Sequence, residues 1–147
     1  MPYTTNIHDF QTFKGSELVE SYLILIAIEL ALKDCGATSG ESHNVPNLLE
    51  SLLQFSKVSK HPKIPGDLAS HVAQLRASLS AIWCNNADGK PDRVPSKSYP
   101  HLRYCRFYTE WENDRETKAT DIFKLNATCK ALREFLRKNK SVIGIKL

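Results

Sequence analysis

One short stretch of this chain gathers side chains that could do chemistry. Residues 99–108 read YPHLRYCRFY, and Trp111 follows. His101, Arg103 and Arg106 thus fall among Tyr99, Tyr104 and Tyr108. Guanidinium groups grip phosphate oxygens with a fork of donors, and imidazole moves protons near neutral pH. Tyrosine rings stack on unpaired bases. The functional expectation is an RNA or nucleotide phosphate site, with His101, Arg103 and Arg106 as catalytic candidates and Tyr99, Tyr104 and Tyr108 as RNA-binding residues. The structural alternative is that the rings seal one end of a helical bundle while the arginine stems cover them.

A second group is smaller. Glu29 sits in the middle of an apolar run, and a buried carboxylate is costly without a partner. Lys33 lies one helical turn on, so a structural ion pair between Glu29 and Lys33 is expected; Arg103 or Arg106 reaching across the bundle is the alternative. His43, next to the start of a second helix, reads as a polar residue bonding nearby backbone groups. Cys35, Cys84, Cys105 and Cys129 are far apart and include no close pair of the zinc-ligand kind, so no metal is expected. The six glycines are scattered and build no phosphate-cradling loop. No cofactor is expected.

These residues need helices to position them. Residues 16–34 form a helix that is apolar on nearly every side, capped by Ser16 and stopped by Gly36, and such a helix belongs at the centre of a bundle or dimer. Residues 46–56 form a second, with Asn44 as cap and Pro46 in the first turn. Residues 57–65 connect it to a third over 67–83, whose Leu68, Val72, Leu75, Leu79 and Ile82 make a clean stripe. Residues 85–98 are a polar loop, and the last helix covers 117–139 with Ile122, Leu125, Cys129, Leu132 and Leu136 inward. Residues 142–147 pack back on the bundle or pair as a strand. The expected fold is all-α, a four- to five-helix up-and-down bundle. Residues 1–147 form a single domain, with 1–15 an irregular lead-in and 85–113 a long loop of functional character.

Composition narrows the class. At 147 residues, with 41% hydrophobic and 24% charged residues, the chain is an ordinary globular domain. A net charge of +4 is low for a general nucleic-acid binder, and no helix-turn-helix pattern supports a DNA-binding reading. Lys57, Lys60 and Lys63, and the basic residues from Lys130 to Lys146, read as solvated faces. The apolar run 22–28 is bracketed by Glu20 and Glu29 and is too short to span a bilayer. The N-terminal stretch lacks a basic start followed by an apolar run. A cytoplasmic protein with reduced thiols and no membrane attachment is expected.

Three segments carry a resemblance. The stretch 17–33, with its core AIELALK, resembles the first long helix of HEPN domains (higher eukaryotes and prokaryotes nucleotide-binding). SHNVPNLL at 42–49 resembles that family's Gly-His-Asp-Leu-x-x-Leu-Leu, with His43, Leu48 and Leu49 in register and Ser42 in place of Gly. Leu102-Arg103-Tyr104 before the last helix resembles the family's Arg-Tyr segment. The resemblance implies a helical bundle that dimerises along its first helix, and metal-independent ribonucleases of bacterial defence and toxin–antitoxin systems, or partners of a nucleotidyltransferase. The family's ribonuclease signature is an Arg followed after four to six residues by a His. This chain departs from it: the nearest case, Arg93 to His101, has seven residues between. Two readings therefore stand: a HEPN-like homodimer that binds or cleaves RNA, and a non-catalytic helical interaction or regulatory subunit of a larger complex.

Overall fold

The computed structural model describes residues 14–94 and 99–147; of the lead-in expected over residues 1–15, residues 1–13 lie outside them and 14–15 already belong to the first helix. The first helix, α1 (Lys14–Asp34), contributes Leu18, Ile24, Leu25, Ile28 and Leu32 to the core. Gly36 ends it in the left-handed region at φ +101°, with Ala37 N–H donating back to Leu32 and Gly36 N–H to Lys33. That pairing satisfies carbonyls the helix leaves open, and a side chain at position 36 would be strained there. Asn44 caps α2 (Val45–Ser51), its Oδ1 accepting from Asn47 N–H at 3.0 Å, and a 3-10 turn, Leu52–Gln54, extends it.

Where a plain connector was expected, a short helix α3 (Ser56–Ser59) intervenes, with Val58 buried. The next helix, α4 (Ile64–Ser80), starts and stops three residues earlier than its hydrophobic stripe indicates. Pro65 fits the first turn, where its missing N–H has no partner to lose. Trp83 instead opens a strand. Strands β1 (Trp83–Asn85) and β2 (Pro91–Arg93) pair antiparallel with Trp83 opposite Arg93. Between them Gly89 turns at φ +75°, and Asn86 Oδ1 accepts from Asp88 and Lys90 N–H. Within the expected loop 85–113, the described residues carry further backbone pairing. The backbones of Cys84 and Cys105 pair in an isolated antiparallel β-bridge, those of Phe107 and Thr117 in a parallel one, and 3-10 turns form at Tyr99–Tyr104 and Asn113–Arg115. Thr117 is held in this ladder, which delays the last long helix, α5, to Ala119–Lys138. The tail turns once more as α6 (Lys140–Ile143) and buries Ile143 and Ile145 against the bundle, with no strand pairing among the described residues.

The architecture is mainly α, with one small hairpin. Helix α1 packs on α5, α5 on α4, α4 on α2 and α2 on α1 around one core. Side-chain pairs give the relative directions of the long helices. Asn126 bonds Glu17 and Ser21, Lys130 bonds Glu20, and Arg133 and Arg137 flank Ile24 and Ala27, so α1 and α5 run in the same direction. Ser78 meets Thr128 and His71 stacks on Phe135, so α4 runs against them. The three long helices α1, α4 and α5 thus alternate in direction. Helix α1 is not wholly enclosed: Leu23 is 57% and Leu30 63% exposed.

Candidate functional site

The segment from Tyr99 to Thr117 is built on the bundle end by its apolar residues. Leu102, Cys105 and Phe107 are buried, and Arg106 N–H donates to Trp83 while Arg106 C=O accepts from Thr117 N–H. This ladder fixes where each polar side chain goes, and it separates the residues the sequence groups together.

Arg106 turns inward. Its side chain is only 3% exposed; its Nε donates to Arg115 C=O at 3.1 Å, Nη1 to Asn85 Oδ1 at 2.9 Å, and Nη2 pairs with Glu112. Burial pulls the guanidinium's pKa down, opposed by the nearby Glu116. Arg106 therefore tethers the 105–117 loop to the hairpin. His101 and Arg103 are exposed on the 3-10 turn, with Arg103 Nε donating to Pro100 C=O at 3.3 Å and its guanidinium 5.6 Å from the Tyr104 ring centre. His101, Arg103 and Arg106 do not converge within one chain. Tyr104 and Tyr108 are exposed, whereas Tyr99 is buried and its ring is closed to any base.

Tyr99 belongs to a different site. Its hydroxyl donates to Glu29 Oε1 at 2.6 Å, and its ring meets Tyr22 and His43 edge-on at 5.6 and 5.8 Å. Glu29, with a side chain 6% exposed, also accepts from Lys33 Nζ at 3.0 Å and from His43 Nδ1 at 3.0 Å. Burial pushes the Glu29 carboxyl pKa up, and the hydrogen bonds from Tyr99, His43 and Lys33 outweigh it, leaving the group below its ordinary value. The ionised carboxylate only accepts, so Nδ1 of His43 carries the proton and Nε2 is turned away from it. His43 takes φ +60°, a left-handed backbone that among the described residues no other non-glycine adopts. Glu29 thus pairs with Lys33 in its own helix, and the cross-bundle partner is His43 rather than Arg103 or Arg106. The site ties α1, the start of α2 and the 99–104 turn together. The signal for it in the sequence is the buried carboxylate itself, which demands donors.

Among the described residues no cluster of three or more His, Cys, Asp or Glu could hold a metal ion. The four cysteines are free thiols; burial pushes Cys84, Cys105 and Cys129 well up, the last two to about 12.

The third feature is a surface. Val19, Leu23, Ala27 and Leu30 follow one face of α1, spaced four, four and three residues apart. Beside them runs an open groove of about 720 Å³ whose floor includes Val19, Leu23, Ile24, Ala27 and Leu147 and whose wall is Arg133 and Arg137 of α5. On the other flank of this strip, Arg103 borders Leu18, Val19 and Tyr22. Among the described residues no helix is long and apolar enough to cross a membrane. No family model, no curated protein and no solved structure matches the chain.

Proposed function

We propose that this chain acts by binding rather than by catalysis, as a helical interaction or regulatory subunit whose working surface is the open face of α1. The observation that carries this is the exposure of Leu23 and Leu30, 57% and 63%, in line with each other on a helix otherwise committed to the core. An apolar strip rimmed by charged residues marks a site that a partner covers. The inward turn of Arg106 and the absent Arg-to-His spacing both weigh against a ribonuclease centre. Purification of tagged protein from its native host tests the reading: a partner retained by the wild type and lost from Leu23→Asp, Leu30→Asp supports it. A partner-free wild type, or retention by the variant, removes it.

A second reading is favoured by one observation. His101, Arg103 and Tyr104 are exposed together, and Arg103 lies at the edge of the same α1 face. In a HEPN-like homodimer paired through α1, both copies would bring these residues to the seam, where arginine and tyrosine suit single-stranded RNA. A defence or toxin–antitoxin setting and a nucleotidyltransferase partner belong to this reading. Incubation with structured and single-stranded RNA, with and without EDTA, together with light scattering, tests it. Metal-independent cleavage or a dimer that binds RNA supports it, and a monomer that leaves RNA unbound and intact removes it.

A further inference from the structure

The groove between α1 and α5 has a chemistry specific enough to name its occupant. We infer that it docks an amphipathic helix of a partner protein carrying one apolar stripe flanked by Asp and Glu. This rests on the binding role proposed above and specifies the partner.

The apolar part of the fit comes from α1. Val19, Leu23, Ala27 and Leu30 lie on one face, and at 1.5 Å per residue the strip runs about 17 Å, or three turns. A helix laid along it meets that spacing with residues of its own at i, i+3, i+4 and i+7. Its ridge fills the groove floor and covers the two exposed leucines. An RNA strand has no comparable apolar face with which to do so.

The charged part comes from the borders. Arg133 and Arg137 stand one turn apart on α5, along the groove wall. The one acidic side chain lining the groove, Glu20, is paired with Lys130 at 3.1 Å. Glu134, 3.5 Å from Arg137, is 69% exposed and does not line the groove. Arg133 Nε is buried and has no hydrogen-bond partner among the described residues. Arg103 borders the strip's other flank, beside Val19. The strip is therefore flanked by arginines on both sides, and carboxylates on both flanks of an incoming helix would meet them in bidentate pairs. A second copy of this chain would instead set these arginines against their own duplicates, a repulsive arrangement.

Binding of labelled peptides to the full chain, followed by fluorescence anisotropy at low and moderate salt, tests the inference. The probe is a helical peptide long enough to span α1, with leucines at heptad a and d and Glu on the flanks; its counterpart carries Lys at those flanks. The expected result is binding of the Glu peptide, with the Lys peptide weaker by about tenfold or more. Arg133→Glu, Arg137→Glu reverses that preference, and Leu23→Asp abolishes both, with far-ultraviolet circular dichroism and melting confirming that each variant folds. Equal binding of the two peptides, or an unreversed preference, overturns the acidic-helix assignment while leaving the binding role standing. A wild-type dimer that Leu23→Asp converts to monomer and that excludes the peptide assigns the strip to a second copy instead. Single-stranded RNA that binds wild type and Leu23→Asp alike, but not the charge-reversed variant, makes the borders a nucleic-acid face and overturns the inference. Neither peptide binding, together with an unaltered set of host partners for Leu23→Asp, fails the inference and the binding role together.

Discussion

The hydroxyl of Tyr99 stands 2.6 Å from Oε1 of Glu29, across 70 residues of chain. It is the inner member of three donors on one carboxylate, with His43 and Lys33 each 3.0 Å from Oε2. Tyr99 is buried and Lys33 half-exposed, so the carboxylate is dry on one side and wet on the other. Its charge is tolerated inside the bundle because each of its neighbours donates to it.

Removing the inner donor leaves a charged acceptor buried without its shortest bond. Tyr99→Phe is expected to lower stability by about 1.5–3 kcal/mol, the range for hydrogen bonds to charged groups. Glu29→Ala orphans the buried Tyr99 hydroxyl and is expected to cost about 1–3 kcal/mol, the range for an unsatisfied buried polar group. Urea unfolding of both variants checks this. A Tyr99→Phe protein as stable as wild type would show that the bond contributes nothing net.

The same carboxylate sets a pH dependence. Its folded pKa lies below the unfolded value of about 4.3, so the unfolded chain binds the proton first as pH falls. The stability it contributes is fully present above that unfolded value and is lost as pH drops through the folded pKa. Unfolding free energy measured from pH 6 downward is expected to fall more steeply for wild type than for Glu29→Gln. Parallel curves would contradict it.

This network shows how far the sequence reaches. Glu29 is legible as a problem, since a carboxylate inside an apolar helix needs partners, and Lys33 follows from helical spacing alone. His43 and Tyr99 are not legible, because they arrive through loops whose paths depend on tertiary packing. His43 needs a left-handed backbone at φ +60° to present its ring, and no local pattern specifies that. Asn44, Pro46 and Gly36 mark helix ends through local chemistry, so those features read directly. The hairpin at 83–93 hides behind an uninterrupted helical stripe that continues to Ile82; strand pairing across the Asn86–Gly89 turn overrides it. Arg103 and Arg106 are three residues apart and look alike in sequence. Only the ladder with Trp83 and Thr117 turns one outward and the other in.

Thiol accessibility follows from the same burial. Cys84, Cys105 and Cys129 are buried with their pKa values raised, while Cys35 is half-buried, its thiol near the Leu32 carbonyl at 3.2 Å. The thiolate is the reactive form, so native protein at neutral pH is expected to label at Cys35 first and slowly. Mass spectrometry of a time course with iodoacetamide checks it. Early labelling of Cys105 would mean that the ladder opens readily.

The two arginines should separate structure from recognition. Arg106 holds Arg115, Asn85 and Glu112 with its side chain 3% exposed, so truncation leaves a carbonyl, an amide oxygen and a carboxylate short of a donor. Arg106→Ala is expected to cost about 3–5 kcal/mol, and Arg106→Lys to recover little of it, because an ammonium cannot span the fork that a guanidinium does. Arg103 is exposed and leans on Tyr104, so Arg103→Ala should change stability by within about 0.5 kcal/mol. Any RNA binding by this chain would then fall with Arg103→Ala at unchanged melting temperature, whereas with Arg106→Ala it would fall only as the fold does. Thermal melts paired with filter binding distinguish the two. An Arg106→Ala protein that melts like wild type would release this residue from its tethering role.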